Sequence, residues 1–162
     1  MTKTASPMRP SWWRVAAVSA VSCALCFASA ARAQFAMVPA PQVQGPPRAS
    51  QAEFEKEYRI DAARHIYSAY PSRIMRGKMP PLLYSVMVVE TEIDHSGEVL
   101  NVNVVRKPAA AEVAPWVVAL IRRASPFPAP AKMPGSTTRY LDIWLVDKTG
   151  QFQVDTLTEG QR

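Results

Sequence analysis

The chain has 162 residues, with 19 Lys and Arg against 13 Asp and Glu and only two cysteines. That length suits one domain with a modest core. Four of the cations (Lys3, Arg9, Arg14 and Arg32) lie in the first 33 residues; the other fifteen face thirteen acids, so the formal +6 gives no case for a nucleic-acid-binding protein.

The N-terminus reads as an export signal. Lys3, Arg9 and Arg14 form a basic start, residues 15–30 carry no charge, and Ala31 and Ala33 occupy the small positions of an A-x-A cleavage site. This arrangement predicts a secretory signal peptide over residues 1–33, cut between Ala33 and Gln34. An uncleaved inner-membrane anchor is the alternative, although Arg14 and Arg32 leave an apolar run shorter than the usual span of about 20 residues. Both cysteines, Cys23 and Cys26, fall inside this segment. The exported chain would carry no disulfide, thiol nucleophile or thiolate metal site.

Residues 34–50 hold prolines, one glycine and no periodicity, and are expected to form a Pro-rich tether reaching about 50 Å in polyproline geometry. The domain is expected over residues 51–162. Ser50 followed by Glu53 suggests a capping box opening a helix over 51–70, with Phe54, Tyr58, Ala62, His65 and Ala69 at helical spacing. Pro71 stops it, and residues 71–81 connect to a strand over 84–93, where Met87, Val89, Thr91 and Ile93 share one face and Glu90 and Glu92 the other. Asp94, His95, Ser96 and Gly97 have turn chemistry. A second strand over 98–106 alternates, with Leu100, Val102 and Val104 expected on the inner face. The apolar stripe Val113, Trp116, Val117, Leu120, Ile121, Ala124 predicts a second helix beginning near Pro115. Pro126, Pro128 and Pro130 then hold the chain extended around Phe127, which is expected to be a buried plug. A strand over 137–146 should place Leu141, Ile143 and Leu145 inward, and residues 151–157 should pair back on it. Helix, hairpin, helix, hairpin gives an α+β fold: two helices in one layer on an antiparallel sheet of three to four strands.

Nothing in this order reads as an enzyme. His65 with Asp61 one turn earlier is most simply a half-buried pair. Asp94, His95 and Ser96 share a tight turn, which cannot hold the geometry of a hydrolytic triad. Glu90 and Glu92 are explained by a solvated sheet face. No cofactor or metal is implied, since phosphate-loop and zinc spacings are missing.

The order of motifs resembles the TonB C-terminal domain family. Tyr70 and Pro71 precede the alternating hairpin with Gly97 in its turn. The second helix then closes on Arg122, Pro126, Phe127 and Pro128, followed by a last strand. The resemblance spans about residues 70–146. It implies a periplasmic module that grips a protein partner, such as an outer-membrane transporter or a periplasmic protein, through strand addition at a sheet edge. An anchored energy transducer is the alternative, and membrane contact is expected only if residues 1–33 stay attached. The oligomeric state is left open. Residues 151–157 would lie on the edge this family uses. Asn101, Asn103 and Val105 on one strand, and Tyr140, Asp142 and Trp144 on another, are therefore the candidate partner-binding edge residues.

Overall fold

A computed structural model describes residues 34–42 and 45–158. The expected signal segment, with Cys23, Cys26, Ala31 and Ala33, lies outside the described residues. Among those residues the elements run α1 (Glu55–Ala69), β1 (Ser85–Asp94), β2 (Val99–Arg106), α2 (Val113–Arg123), β3 (Thr137–Val146) and β4 (Phe152–Val154). Short 3-10 turns cover Pro71–Arg73 and Asp155–Leu157. The fold class is α+β, with one antiparallel sheet in the order β2-β1-β3-β4.

Helix α1 starts later than its sequence suggests. Ser50 does not cap it: the hydroxyl donates to Asp61 (2.6 Å) and accepts from the Ala52 amide (3.1 Å). Phe54 is the N-cap, lies largely exposed, and leaves Glu57 to accept from the Glu53 amide at 3.1 Å. Tyr58, Ala62, Ala63, His65, Ile66 and Ala69 form the buried face. Helix α2 buries Val113, Trp116, Val117, Leu120 and Ile121, the expected stripe, with Arg122 and Arg123 in the last turn where cations suit the helix dipole. Helix α1 packs against β3 and α2 against β2, and both join the inner sheet face in one core.

Strand β1 alternates as expected, with Met87, Val89, Thr91 and Ile93 buried. Strand β2 does not. The ladder pairs Glu92 with Asn101 but Ile93 with Val99, and Val89 with Val104 but Val88 with Arg106. Leu100 and Val105 are thus the extra residues of two bulges, and both are more than half exposed. Val99 takes the inner position expected for Leu100.

Strand β3 corrects a second expectation. Its buried residues are Thr138, Tyr140, Asp142, Trp144 and Val146, while Leu141 is exposed and Ile143 and Leu145 lie half-buried on the outer face. Two aromatic rings fill more core volume than the aliphatic set would, and Asp142 is buried because partners reach it from other elements. Strand β4 is shorter than the expected 151–157, because the chain turns into a 3-10 helix at Asp155.

Residues 34–42 do not form a free tether. Phe35 is buried, stacked on Tyr84 (centroids 5.7 Å apart, planes 7° apart) and edge-on to Trp116 at 5.2 Å. The Trp116 indole donates to Met37 O (3.3 Å), Arg123 to Val38 O (2.6 Å), and the Gln42 amide to Ala69 O (2.8 Å). One aromatic anchor and main-chain hydrogen bonds fix the segment without the periodicity that would announce it in sequence.

Candidate partner-binding edge

The exit from α2 organises one side of the molecule. Phe127 is fully buried, its ring 4.9 Å from His65 and 6.3 Å from Tyr140. Its amide donates to Gly97 O at 2.8 Å. Gly97 has φ +92°, and a Cβ there would stand 1.9 Å from Phe127 O, so only glycine lets the hairpin turn come this close. Ser125 donates to Glu98 (2.7 Å) and accepts from the Val99 amide (3.1 Å). Tyr58 donates to Pro128 O and Tyr70 to Leu120 O, each at 2.8 Å. Burial pushes the Tyr70 hydroxyl up to about 12 and raises that of Tyr58, so both remain protonated donors. Of the other motif residues, Pro71 opens a 3-10 turn and Arg122 is exposed on the last turn of α2.

The residues with catalytic letters are occupied structurally. His65 donates from Nε2 to Ala124 O at 2.6 Å, and burial lowers its pKa, which keeps the ring neutral. Asp61 is held by Ser50 and by Arg64 at 3.7 Å. Asp94 accepts from the Ser96 hydroxyl and amide and from the Glu98 amide. These bonds, the hydroxyl foremost, hold its carboxyl below the ordinary range. Glu92 pairs across the sheet with Arg139 at 3.1 Å. Among the described residues no cluster of three or more His, Cys, Asp or Glu is placed to hold a metal, and no helix is long and apolar enough to cross a membrane.

The sheet edges differ. Strand β4 is covered on its outer side: Ile74 bridges Phe152 in parallel, the Met75 amide donates to Phe152 O (3.1 Å), and Gln153 donates to Met75 O and Gly77 O (2.8 and 2.7 Å). It covers β3 only over Trp144, Leu145 and Val146. Among the described residues no strand lies beside the outer edge of β3 from Thr137 to Ile143, although β1 pairs with β3 along its whole length. Strand β2 forms the opposite edge, with Asn101, Asn103 and Val105 exposed as expected but with a bulge towards each end.

Tyr140, Asp142 and Trp144 are not outward-facing. Their side chains enter the core, so at this edge they have only main-chain groups to offer. Asp142 belongs to a polar knot missed in the sequence. Its Oδ1 accepts from Thr156 (2.6 Å), and Arg59 reaches Thr156 (3.0 Å) and Asp142 (3.5 Å). Burial pushes the Asp142 carboxyl up to about 6, against the opposing pull of Thr156 and Arg59. The buried Arg59 Nε has no hydrogen-bond partner. Tyr67 accepts from the Val154 amide at 3.1 Å. Together these contacts hold the chain after β4 between α1 and β3, with Thr156 against the Asp142 side chain. Arg59 and Asp142 stand 83 residues apart, so no local spacing announces the pair and only the fold brings them together.

No protein-family model, curated protein or solved structure matches this chain.

Proposed function

We propose that this chain is a TonB-like interaction module of the periplasm, released at Ala33–Gln34, which engages a protein partner by strand addition. In this reading α1 and α2 cover one face of the sheet in the two-layer arrangement of TonB C-terminal domains, and no residue acts as a catalyst. The observation that carries it is the half-covered edge of β3: an incoming segment finds a strand paired on its other side over ten residues, with β4 beside it only over Trp144–Val146 and the 3-10 turn reaching it at Asp142. Strand β2 is the poorer template, because its bulges break the regular spacing of edge amides. The docking of Phe35 against Tyr84 and Trp116 favours a module over an anchored transducer, since it takes up the segment that would otherwise cross the periplasm.

A photo-crosslinking residue at Leu141 or at Asn103, introduced in the producing cell, tests this reading. Capture of the same outer-membrane or periplasmic protein from Leu141, and not from Asn103, is the expected result. Capture from Asn103 alone would move the site to β2. Capture from neither would end the strand-addition reading. Intact mass of the recovered chain checks the cut: a protein beginning at Gln34 is expected, and one retaining residues 1–33 in the membrane fraction would favour the anchored transducer.

A further inference from the structure

The segment expected to be a tether is seated in a slot built from other elements. Tyr84 closes one side, its hydroxyl donating to Glu112 at 2.6 Å. Trp116, almost fully buried on α2, closes the other, with Phe152 behind it at 6.1 Å. What enters the slot is slight: the ring of Phe35 and the carbonyls of Met37 and Val38. Gln34 and Ala36 are exposed, and the Met37 side chain is 78% exposed. The walls belong to a helix, the approach to β1 and β4, whereas the occupant is helical at residues 34–36 and runs on without regular structure from Met37. Any short segment that presents one aromatic ring and, two and three positions later, free carbonyls offers the same contacts, which is how linear peptides are recognised.

We infer that the Tyr84–Trp116 slot, with Arg123 at its rim, is a docking site for a short, aromatic-bearing peptide segment of a partner protein, and that Phe35–Val38 fills it in cis until displaced. This site is separate from the β3 edge and does not depend on strand addition there. The cis occupant is joined to α1 by a short stretch containing Gly45, Pro46 and Pro47, so its effective concentration is on the order of millimolar. A partner segment must outcompete it, and success frees residues 34–41 up to the Gln42 amide held on Ala69 O. Docking and reach are thereby coupled: the domain holds its own leash until a partner takes the slot.

The test uses the chain as isolated from the producing cell and a fluorescein-labelled, N-acetylated peptide of residues 34–42. Fluorescence anisotropy should report saturable binding to Phe35→Ala that is at least about tenfold tighter than binding to the unchanged protein, as removal of a tethered competitor requires. A peptide with its Phe replaced by Ala should not bind. Adding Arg123→Ala, at an exposed position, should weaken binding severalfold by removing the donor to Val38 O. If circular dichroism shows Phe35→Ala to be unfolded, Phe35→Leu keeps an apolar plug without ring stacking and should give the same ranking. The inference is overturned if a folded Phe35 variant shows no saturable binding. Equal affinity for the unchanged and variant proteins, or binding indifferent to the peptide's Phe, overturns it equally.

Discussion

Helix α1 pins the rest of the molecule at two places, and they are built differently. At His65 it meets the α2 exit with uncharged groups: a neutral imidazole on Ala124 O, a buried Phe127 ring, and the Phe127 amide on Gly97 O. At Arg59 it meets the β4 end with charge: a guanidinium, a buried carboxylate and one threonine hydroxyl. The first junction resembles ordinary core, where each polar group named meets a neutral partner at little desolvation cost. The second takes charges out of water, and burial outweighs the pull of the partners on Asp142. The molecule therefore has a firm end and a conditional end, and the conditional one borders the half-covered β3 edge.

The firm end should give the largest losses. Gly97→Ala forces the hairpin turn off the Phe127 backbone and strains a positive φ, for a loss on the order of 4 kcal/mol in urea denaturation. Phe127→Ala should follow at about 3 kcal/mol by the same measurement, the cost of a cavity where a core ring stood. A loss within experimental error for either would erase the contrast.

The conditional end should appear in the pH dependence. The Asp142 pKa is raised from 3.8 to about 6, so the folded state holds its proton more tightly than the unfolded chain does. Its stabilising effect is complete below the unfolded value, fades as pH rises through about 6 and stays lost above, an effect on the order of 3 kcal/mol for a rise from 3.8 to about 6. His65 has the opposite sign: its lowered pKa gives stability that is present above 6.5 and lost as pH falls. In the unchanged protein the two slopes oppose one another on mild acidification. Asp142→Asn should remove one, leaving a stability that only falls from pH 7 towards 4, as read from denaturation midpoints.

Two tyrosines give the smallest test. Tyr67→Phe strips the acceptor from the Val154 amide and should cost about 1–2 kcal/mol, since a buried donor is left unpaired. Tyr70→Phe should cost less, about 0.5–1 kcal/mol, because Leu120 O still accepts from the Ala124 amide. Thermal or urea unfolding of the pair decides the order.

What could be read from sequence divides along similar lines. The α2 stripe, the β1 alternation and the burial of Phe127 were legible because each follows a local rule: a helical repeat, a strict period of two, a ring between prolines. Strand β2 defeated the same rule, since its two bulges shift the parity and put Leu100 outside. Strand β3 defeated it because Asp142 looks polar and outward until Arg59 and Thr156 arrive from distant parts of the chain. Ser50 has the letters of a helix cap, yet Asp61 takes its hydroxyl. The docking of Phe35 left no local trace at all. Of the candidate edge, Asn101, Asn103 and Val105 lie exposed on an edge strand, as their alternation with Val102 and Val104 suggests, while the half-covered stretch of β3 depended on where β4 ends, which the fold decides.

The Phe127 amide has one more property. It stands between Pro126 and Pro128, neither of which carries an N–H, and it is closed onto Gly97 O in a fully buried setting. This short stretch thus holds a single exchangeable backbone proton, and water reaches it only when the hairpin turn and the helix exit part. In deuterium exchange that proton is a sentinel: its lifetime clocks the opening of the firm end, independently of fraying at the strand edges.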